Sequence, residues 1–235
     1  MKDAIQKLLS LAGMKVIRYP EADLRRRLLL IDNFRINKIF DVGANAGFYA
    51  IEMRKLGFKG DIISFEPLKD AFEKLARASS KDARWQAQNI ALGDADTESM
   101  INIAGNSYSS SLLDMMPAHL ESAPESDYIN KQAVQVRKLD SIFSQYYKPG
   151  DNILLKIDTQ GFEKNVLEGA AQSLQKIKGI QLEMSVVELY QGEMLYHEMT
   201  GYLKERGFEL YSLENGFWNK KTGQLLQVDG IFFRS

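Results

Sequence analysis

Ile39-Phe40-Asp41-Val42-Gly43-Ala44-Asn45-Ala46-Gly47-Phe48-Tyr49-Ala50 is the stretch whose reading decides the fold. A short β-rich run (Ile39, Phe40, Val42) closes on an acid. The chain then passes through two glycines into a helical pattern of Phe48, Ile51, Met53 and Leu56. The pattern predicts a strand, a tight turn and a helix start. With no side chain at Gly43 and Gly47, a ligand can approach the backbone closely. The helix that follows turns unpaired N–H groups and its positive dipole end towards the same ligand. A carboxylate or phosphate fits such a place.

The spacing narrows the ligand. A phosphate-cradling P-loop ends in Gly-Lys-Ser/Thr, and here Phe48 follows Gly47. The dinucleotide pattern Gly-x-Gly-x-x-Gly is also incomplete, because Ala44 and Ala46 stand between the two glycines. Asp41 points a carboxylate into the turn, where it can hold a cation. A ligand with an ammonium and a carboxylate at one end, as in S-adenosylmethionine, suits this better than a pyrophosphate does. The alternative is that Asp41 caps the next helix. A second apolar run, Asp61-Ile62-Ile63-Ser64-Phe65-Glu66-Pro67, closes on Glu66 about 25 residues beyond Asp41, where a ribose is gripped through its hydroxyls. Both NAD and S-adenosylmethionine carry that ribose.

These residues resemble the class I S-adenosylmethionine-dependent methyltransferases, and more narrowly the FkbM family. The resemblance runs from about Ile39 to the C-terminus. It rests on Asp41-Val42-Gly43-Ala44-Asn45-Ala46-Gly47, Phe65-Glu66-Pro67, Asn89-Ile90-Ala91-Leu92-Gly93-Asp94, and Leu155-Lys156-Ile157-Asp158-Thr159-Gln160-Gly161-Phe162-Glu163 followed by Leu167-Glu168-Gly169-Ala170. The last block is the most specific to the family. The resemblance implies a Rossmann-like α/β fold: a mostly parallel seven-stranded sheet, helices on both faces and an antiparallel strand near one edge. It implies S-adenosylmethionine held by Asp41, Gly43, Asn45, Gly47, Phe48, Glu66, Pro67, Asn89, Ala91, Leu92 and Asp158. Ala91 and Leu92 would lie against the adenine, or serve only as core. It also implies O-methylation of a sugar, glycan or polyketide-type hydroxyl.

Composition sets bounds. The 235 residues suffice for one large α/β domain or a domain with a small extension. A formal net charge of -1 gives no basis for a nucleic-acid partner. Without cysteine there is no disulfide frame and no thiol nucleophile. No apolar run approaches the ~20 residues of a membrane span, and no signal peptide is evident. A cytoplasmic enzyme is expected.

Residues 1–36 read as a helical extension, with Ile5, Leu8, Leu9 and Ala12 at helix spacing before Pro20 and Leu24, Leu28 and Ile31 after it. Residues 37–235 read as the catalytic domain. Strands and helices alternate up to about Asp94, which implies parallel pairing with right-handed crossovers. One strand is expected over Trp85–Ala91. A strand over Glu98–Ile103 precedes a stretch of little periodicity, read as a lid over about 104–132 with Tyr108, Ser110 and His119 as substrate contacts; a surface insertion is the alternative. A helix is expected from Asp140 to Tyr147. Ile153–Asp158 is apolar enough to be buried on both faces. Helices follow from Glu163 through Ile177 and from Glu193 to Arg206. Strands are expected over Ile180–Val186, Glu209–Leu213 and Leu225–Phe233, the last antiparallel between its neighbours.

Moving a methyl group to an alcohol needs a base for the hydroxyl proton. Asp158 is the first candidate, since an acid ending a buried strand costs stability unless paired; Glu163, Glu183, His119 and His197 follow. Glu163 in a first helical turn also answers the dipole alone. Asp158 with Glu163 or Glu183 could carry Mg²⁺, the less favoured reading, and two histidines without cysteine argue against zinc. Two other classes stay open, an NAD-dependent oxidoreductase and a non-catalytic nucleotide-binding module.

Overall fold

Five consecutive buried residues, Lys38–Val42, form a strand at the centre of the structure, a computed structural model that describes Gly13 and residues 19–234. The chain divides into two units, residues 1–34 and 35–235. In the first, Leu24, Leu28 and Ile31 fall on helix α1 (Ala22–Asn33); the repeat of Ile5, Leu8, Leu9 and Ala12 lies outside the described residues. The second unit runs β1 (Lys38–Val42), α2 (Phe48–Lys55), β2 (Asp61–Phe65), α3 (Lys69–Ser79), β3 (Trp85–Gln88), β4 (Ala91–Leu92) and β5 (Thr97–Ala104). It continues with α4 (Pro117–Ser122), β6 (Tyr128–Arg137), α5 (Leu139–Ile142), β7 (Ile153–Ile157), α6 (Glu163–Glu168), β8 (Ile177–Ser185), α7 (Tyr196–Glu205), β9 (Glu209–Asn215) and β10 (Gln227–Phe233).

Seven strands make the main sheet in the order β3-β2-β1-β7-β8-β10-β9. β3, β2, β1, β7 and β8 run parallel, and β10 lies antiparallel between β8 and β9. This is the mostly parallel seven-stranded sheet, with an antiparallel strand near one edge, that the resemblance implied. Phe40, Val42, Leu155 and Ile157 pack on one face with Leu139 and Ile142 of α5, Val166 and Leu167 of α6, and Met199 and Leu203 of α7. On the other face lies α2, whose Tyr49 ring sits 5.5 Å from Lys156 Nζ. Truncating fully buried Leu155 to alanine would cost about 2–5 kcal/mol. Chain reversals concentrate the carboxyl ends of the parallel strands on one edge, where ligands of such sheets bind.

Several elements differ from expectation, each for a local reason. The strand expected over Trp85–Ala91 breaks after Gln88, where the Asn89 side-chain amide donates to the carbonyls of Glu66 and Pro67. Ala91–Leu92 then joins a second sheet, β4-β6-β5. The irregular stretch is shorter than expected, because strand β6 already begins at Tyr128. Before it, Asn106, Ser109 and Ser126 hydrogen-bond one another. The helix expected from Asp140 is a single turn that tightens into a 3₁₀ turn at Phe143–Gln145. The helix from Glu163 stops at Glu168, because Asp140 accepts from the N–H groups of Gln172 and Ser173 and holds a turn there. Ile177 therefore opens β8. α7 starts only at Tyr196, since the Glu193 carboxylate is bound to Ser185 and to the N–H of Tyr190 in the preceding loop. Among the described residues no helix is long and apolar enough to cross a membrane.

Candidate active site

Strand register arranges the polar residues of one sheet face into two rows. Ser64, Asp41 and Lys156 are paired neighbours on β2, β1 and β7, and Lys156 pairs with Gln181 on β8. This inner row is sealed. Asp41 is fully buried and accepts from the Ser64 hydroxyl at 3.0 Å, and Ser64 accepts from the Trp85 indole at 2.9 Å. The Lys156 ammonium lies 3.3 Å from Asp41 and 3.4 Å from Asp158. Burial works against its charge, yet Asp158 and Asp41 outweigh it and hold its pKa above the ordinary lysine value. Asp41 Oδ1 accepts no well-aligned hydrogen bond, so the ion pair with Lys156 is what compensates it.

Two residues further along the strands, an outer row crosses the sheet's carboxyl edge. Asp158 and Glu183 follow the paired residues Ile157 and Leu182, Asp229 pairs with Glu183, and Glu214 pairs with Asp229. Acid stands beside acid across four strands, an arrangement that repels unless protons or donors intervene. Gln160 intervenes. Its side-chain amide donates to Asp158 at 2.8 Å and to Glu183 at 2.9 Å, while its oxygen accepts from the Tyr190 hydroxyl at 2.7 Å. Gln227 also donates to Glu183. Burial, then the charges of Asp158 and Asp229, push the Glu183 carboxyl well above the usual range.

A cleft of about 740 Å³, counting its open mouth, lies over the β1–β2 end of this edge. Val42, Gly43, Asn45, Glu66, Pro67 and Asp158 line it, and Ala91, Leu92, Ile101 and Phe162 supply an apolar wall. Glu66 accepts from Asn45 N–H at 2.7 Å and Leu68 N–H at 2.8 Å. Burial pushes its carboxyl up to about 7 against these two bonds. The glycines are also required by packing, and Gly43 in addition lines the cleft. Both have positive φ; a Cβ on Gly43 would stand 1.8 Å from the Asp158 carbonyl oxygen, and one on Gly47 2.8 Å from the Trp85 ring.

Tyr108 and Ser110 face the cleft, and the exposed Tyr108 and Phe48 rings stand 6.3 Å apart near it. Other expected site residues sit elsewhere. Asp41 lies beneath the cleft, and it caps no helix, for the N-cap of α2 is Gly47, with no side-chain cap. Asn89 is spent on the Glu66 and Pro67 carbonyls. Glu163 is buried and accepts from both the N–H and the hydroxyl of Thr159, with burial pushing it up to about 7. His119 is buried between Tyr190 and Phe217, where burial pushes it down to about 4, and His197 is exposed on α7. Sequence reasoning passed over Lys156, Gln160, Tyr190 and Asp229. The signal for Lys156 and Asp229 was a charge within an apolar strand.

Chemically, the cleft pairs a carboxyl suited to a diol with an apolar wall suited to a flat base, so its residues fit a nucleoside. Asp158 lines the same cleft with its side chain 42% exposed. Among the described residues no three His, Asp or Glu side chains converge as a cation site.

The profile described as Methyltransferase FkbM domain matches residues 41–210. The methyltransferase sdnD of Sordaria araneosa is 23% identical over 205 residues, which cover 73% of this chain and 73% of that protein. The crystal structure of the methyltransferase FkbM from Methylobacillus flagellatus KT shares the fold, with a TM-score of 0.50 and 16% identity. The match covers 83% of this chain and 43% of that one, so this chain spans less than half of that relative's length.

Proposed function

The chain belongs to the FkbM family of S-adenosylmethionine-dependent methyltransferases, and from that premise we propose that it methylates a free hydroxyl of a sugar, glycan or polyketide-type acceptor. The observation that carries this reading is Asp158, an exposed carboxylate at the strand edge that lines the same cleft as Glu66. S-adenosylmethionine supplies a methyl group made electrophilic by its sulfonium. The chain has to align an oxygen with that carbon and take its proton.

Glu66 holds the ribose hydroxyls, with Asn45 and Leu68 fixing its two oxygens from behind. Ala91, Leu92, Ile101 and Phe162 bound the adenine. Asp41 acts at one remove, by holding Lys156 against Asp158. Asp158 accepts the hydroxyl proton. Glu163 is engaged with Thr159 and shapes the turn after β7. The segment with Tyr108 and Ser110 covers the cleft as a lid.

The test is to incubate the protein with methyl-labelled S-adenosylmethionine and a panel of glycans, polyketides, phenols and amines, reading methyl gain by mass spectrometry. Labelling of hydroxylated acceptors is expected. Labelling confined to nitrogen or carbon acceptors would overturn the oxygen assignment, leaving the family membership untouched.

A further inference from the structure

We propose that Gln160 is a positioning residue whose side-chain amide, oriented by the Tyr190 hydroxyl, ties Asp158 to Glu183 and aims Asp158 into the cleft. The proposal rests on the reading of Asp158 as the base.

The amide can work in only one orientation. Its nitrogen reaches two carboxyls, at 2.8 Å and 2.9 Å, and its oxygen takes the Tyr190 O–H. Turned over, it would set a carbonyl oxygen against two acids and leave the tyrosine hydroxyl only its longer bond to the Ser109 carbonyl, at 3.4 Å. Tyr190 is itself tightly enclosed. It is fully buried, edge-on to His119, and close enough that a Cβ on Gly161 would stand 2.6 Å from its own Cβ. The backbone is held as firmly. Gln160 has a φ of 56°, a left-handed conformation that strains a residue with a side chain. Its carbonyl accepts from Ser111 in the segment over the cleft. Strain kept at a position with this many bonds points to a geometry that matters.

Charges facing the pair come from every neighbouring strand and helix. They are Lys156 and, behind it, Asp41; Asp229 on β10; Glu163 on α6; and Glu193 in the loop before α7. In this setting burial and the neighbouring acids push the Glu183 carboxyl well above its ordinary range, while Asp158 has the Lys156 ammonium 3.4 Å away. The Gln160 amide can serve both at once, because each of its two hydrogens has its own acceptor.

The test follows the Asp158 carboxyl by ¹³C NMR titration in the full chain, with S-adenosylhomocysteine binding measured in parallel by calorimetry. In Gln160→Leu, loss of a charge-assisted donor should raise the Asp158 midpoint by about one pH unit. Tyr190→Phe keeps the amide but frees its orientation, and should move the midpoint in the same direction by roughly half as much. S-adenosylhomocysteine affinity should hold within about threefold in Tyr190→Phe, because Tyr190 lies outside the cleft lining, whereas Gln160 is part of that lining and its replacement can also weaken binding. With an acceptor in hand, kcat should fall about tenfold while KM for the methyl donor stays in Tyr190→Phe. A midpoint unmoved in both variants, with binding intact, overturns the tether alone. Should Gln160→Leu not fold, Tyr190→Phe decides by the same titration. Failure of the unaltered protein to bind S-adenosylhomocysteine overturns the underlying reading and takes the role of Gln160 with it.

Discussion

The inner and outer polar rows share one face of one sheet and lie two residues apart, yet they solve opposite problems. In the inner row each charge has an opposite charge beside it, Ser64 donates to Asp41, and Trp85 donates to Ser64. Nothing there reaches the cleft. The outer row gathers carboxyls with amides interleaved, and its Asp158 is open to solvent. A balanced, closed row holds the sheet together. The other row brings one solvent-open carboxyl, Asp158, to the cleft lining. The lesson is that burial with compensation separates a scaffold acid from an acid of the same type that reaches a ligand cleft.

The sharpest way to break this comparison is Asp158→Asn. If the outer row is the working one, methyl transfer should fall about 10²–10⁴-fold, while thermal stability and S-adenosylhomocysteine affinity stay near those of the parent. A variant that transfers methyl groups normally would return Asp158 to the scaffold. Lys156→Met makes the converse case. It leaves Asp41 buried and uncompensated, and should remove about 3–5 kcal/mol of stability. That corresponds to a fall in Tm of roughly 6–20 °C by calorimetry. A loss below about 1 kcal/mol would mean that the ion pair is not what holds the inner row.

How much of this was legible beforehand follows the same division. The fold was readable because apolar strands end in acids at regular intervals and Gly43 and Gly47 mark the turn between β1 and α2. Glu66 and Asp158 were visible as acids closing apolar runs, and both line the cleft. Asp41 looked the same in sequence, but strand parity puts its side chain one row beneath the cleft. The acid row was hidden because it depends on β10 lying between β8 and β9, which brings Asp229 beside residues 46 and 15 positions away in the chain. Local pattern carries no such information. Gln160 was hidden for another reason. A neutral amide gives no signal until the two acids it joins are seen together.

Glu163 tests the comparison from the side of pH. Its carboxyl binds a proton more tightly folded, near 7, than at its ordinary value of 4.5. Stability from this group is therefore complete below pH 4.5 and is lost as pH rises through 7. Glu163→Gln retains an acceptor for Thr159 and cannot ionise. Measured against the parent between pH 5 and pH 8, its relative stability should rise by on the order of 2 kcal/mol. A flat difference across that range would show that Glu163 ionises freely where it stands.

The last effect belongs to His119, which the sequence suggested as a substrate contact and the structure encloses between Tyr190 and Phe217. Burial pushes its pKa down to about 4 from an ordinary 6.5, so the sign is opposite to that of Glu163. The folded state binds the proton less tightly than the unfolded one, and the contribution present above pH 6.5 is lost as pH falls through 4. His119→Phe removes the titrating group and the ring nitrogen that lacks a partner while keeping an aromatic ring in place. At pH 7.5 its Tm should match that of the parent, and at pH 5 it should exceed it by the equivalent of about 2 kcal/mol. Methyl transfer at pH 7.5 should stay within about twofold, since the ring stands outside the cleft lining. A large loss of transfer with stability unchanged would instead place His119 in the acceptor's path, and would extend the working region beyond the outer row.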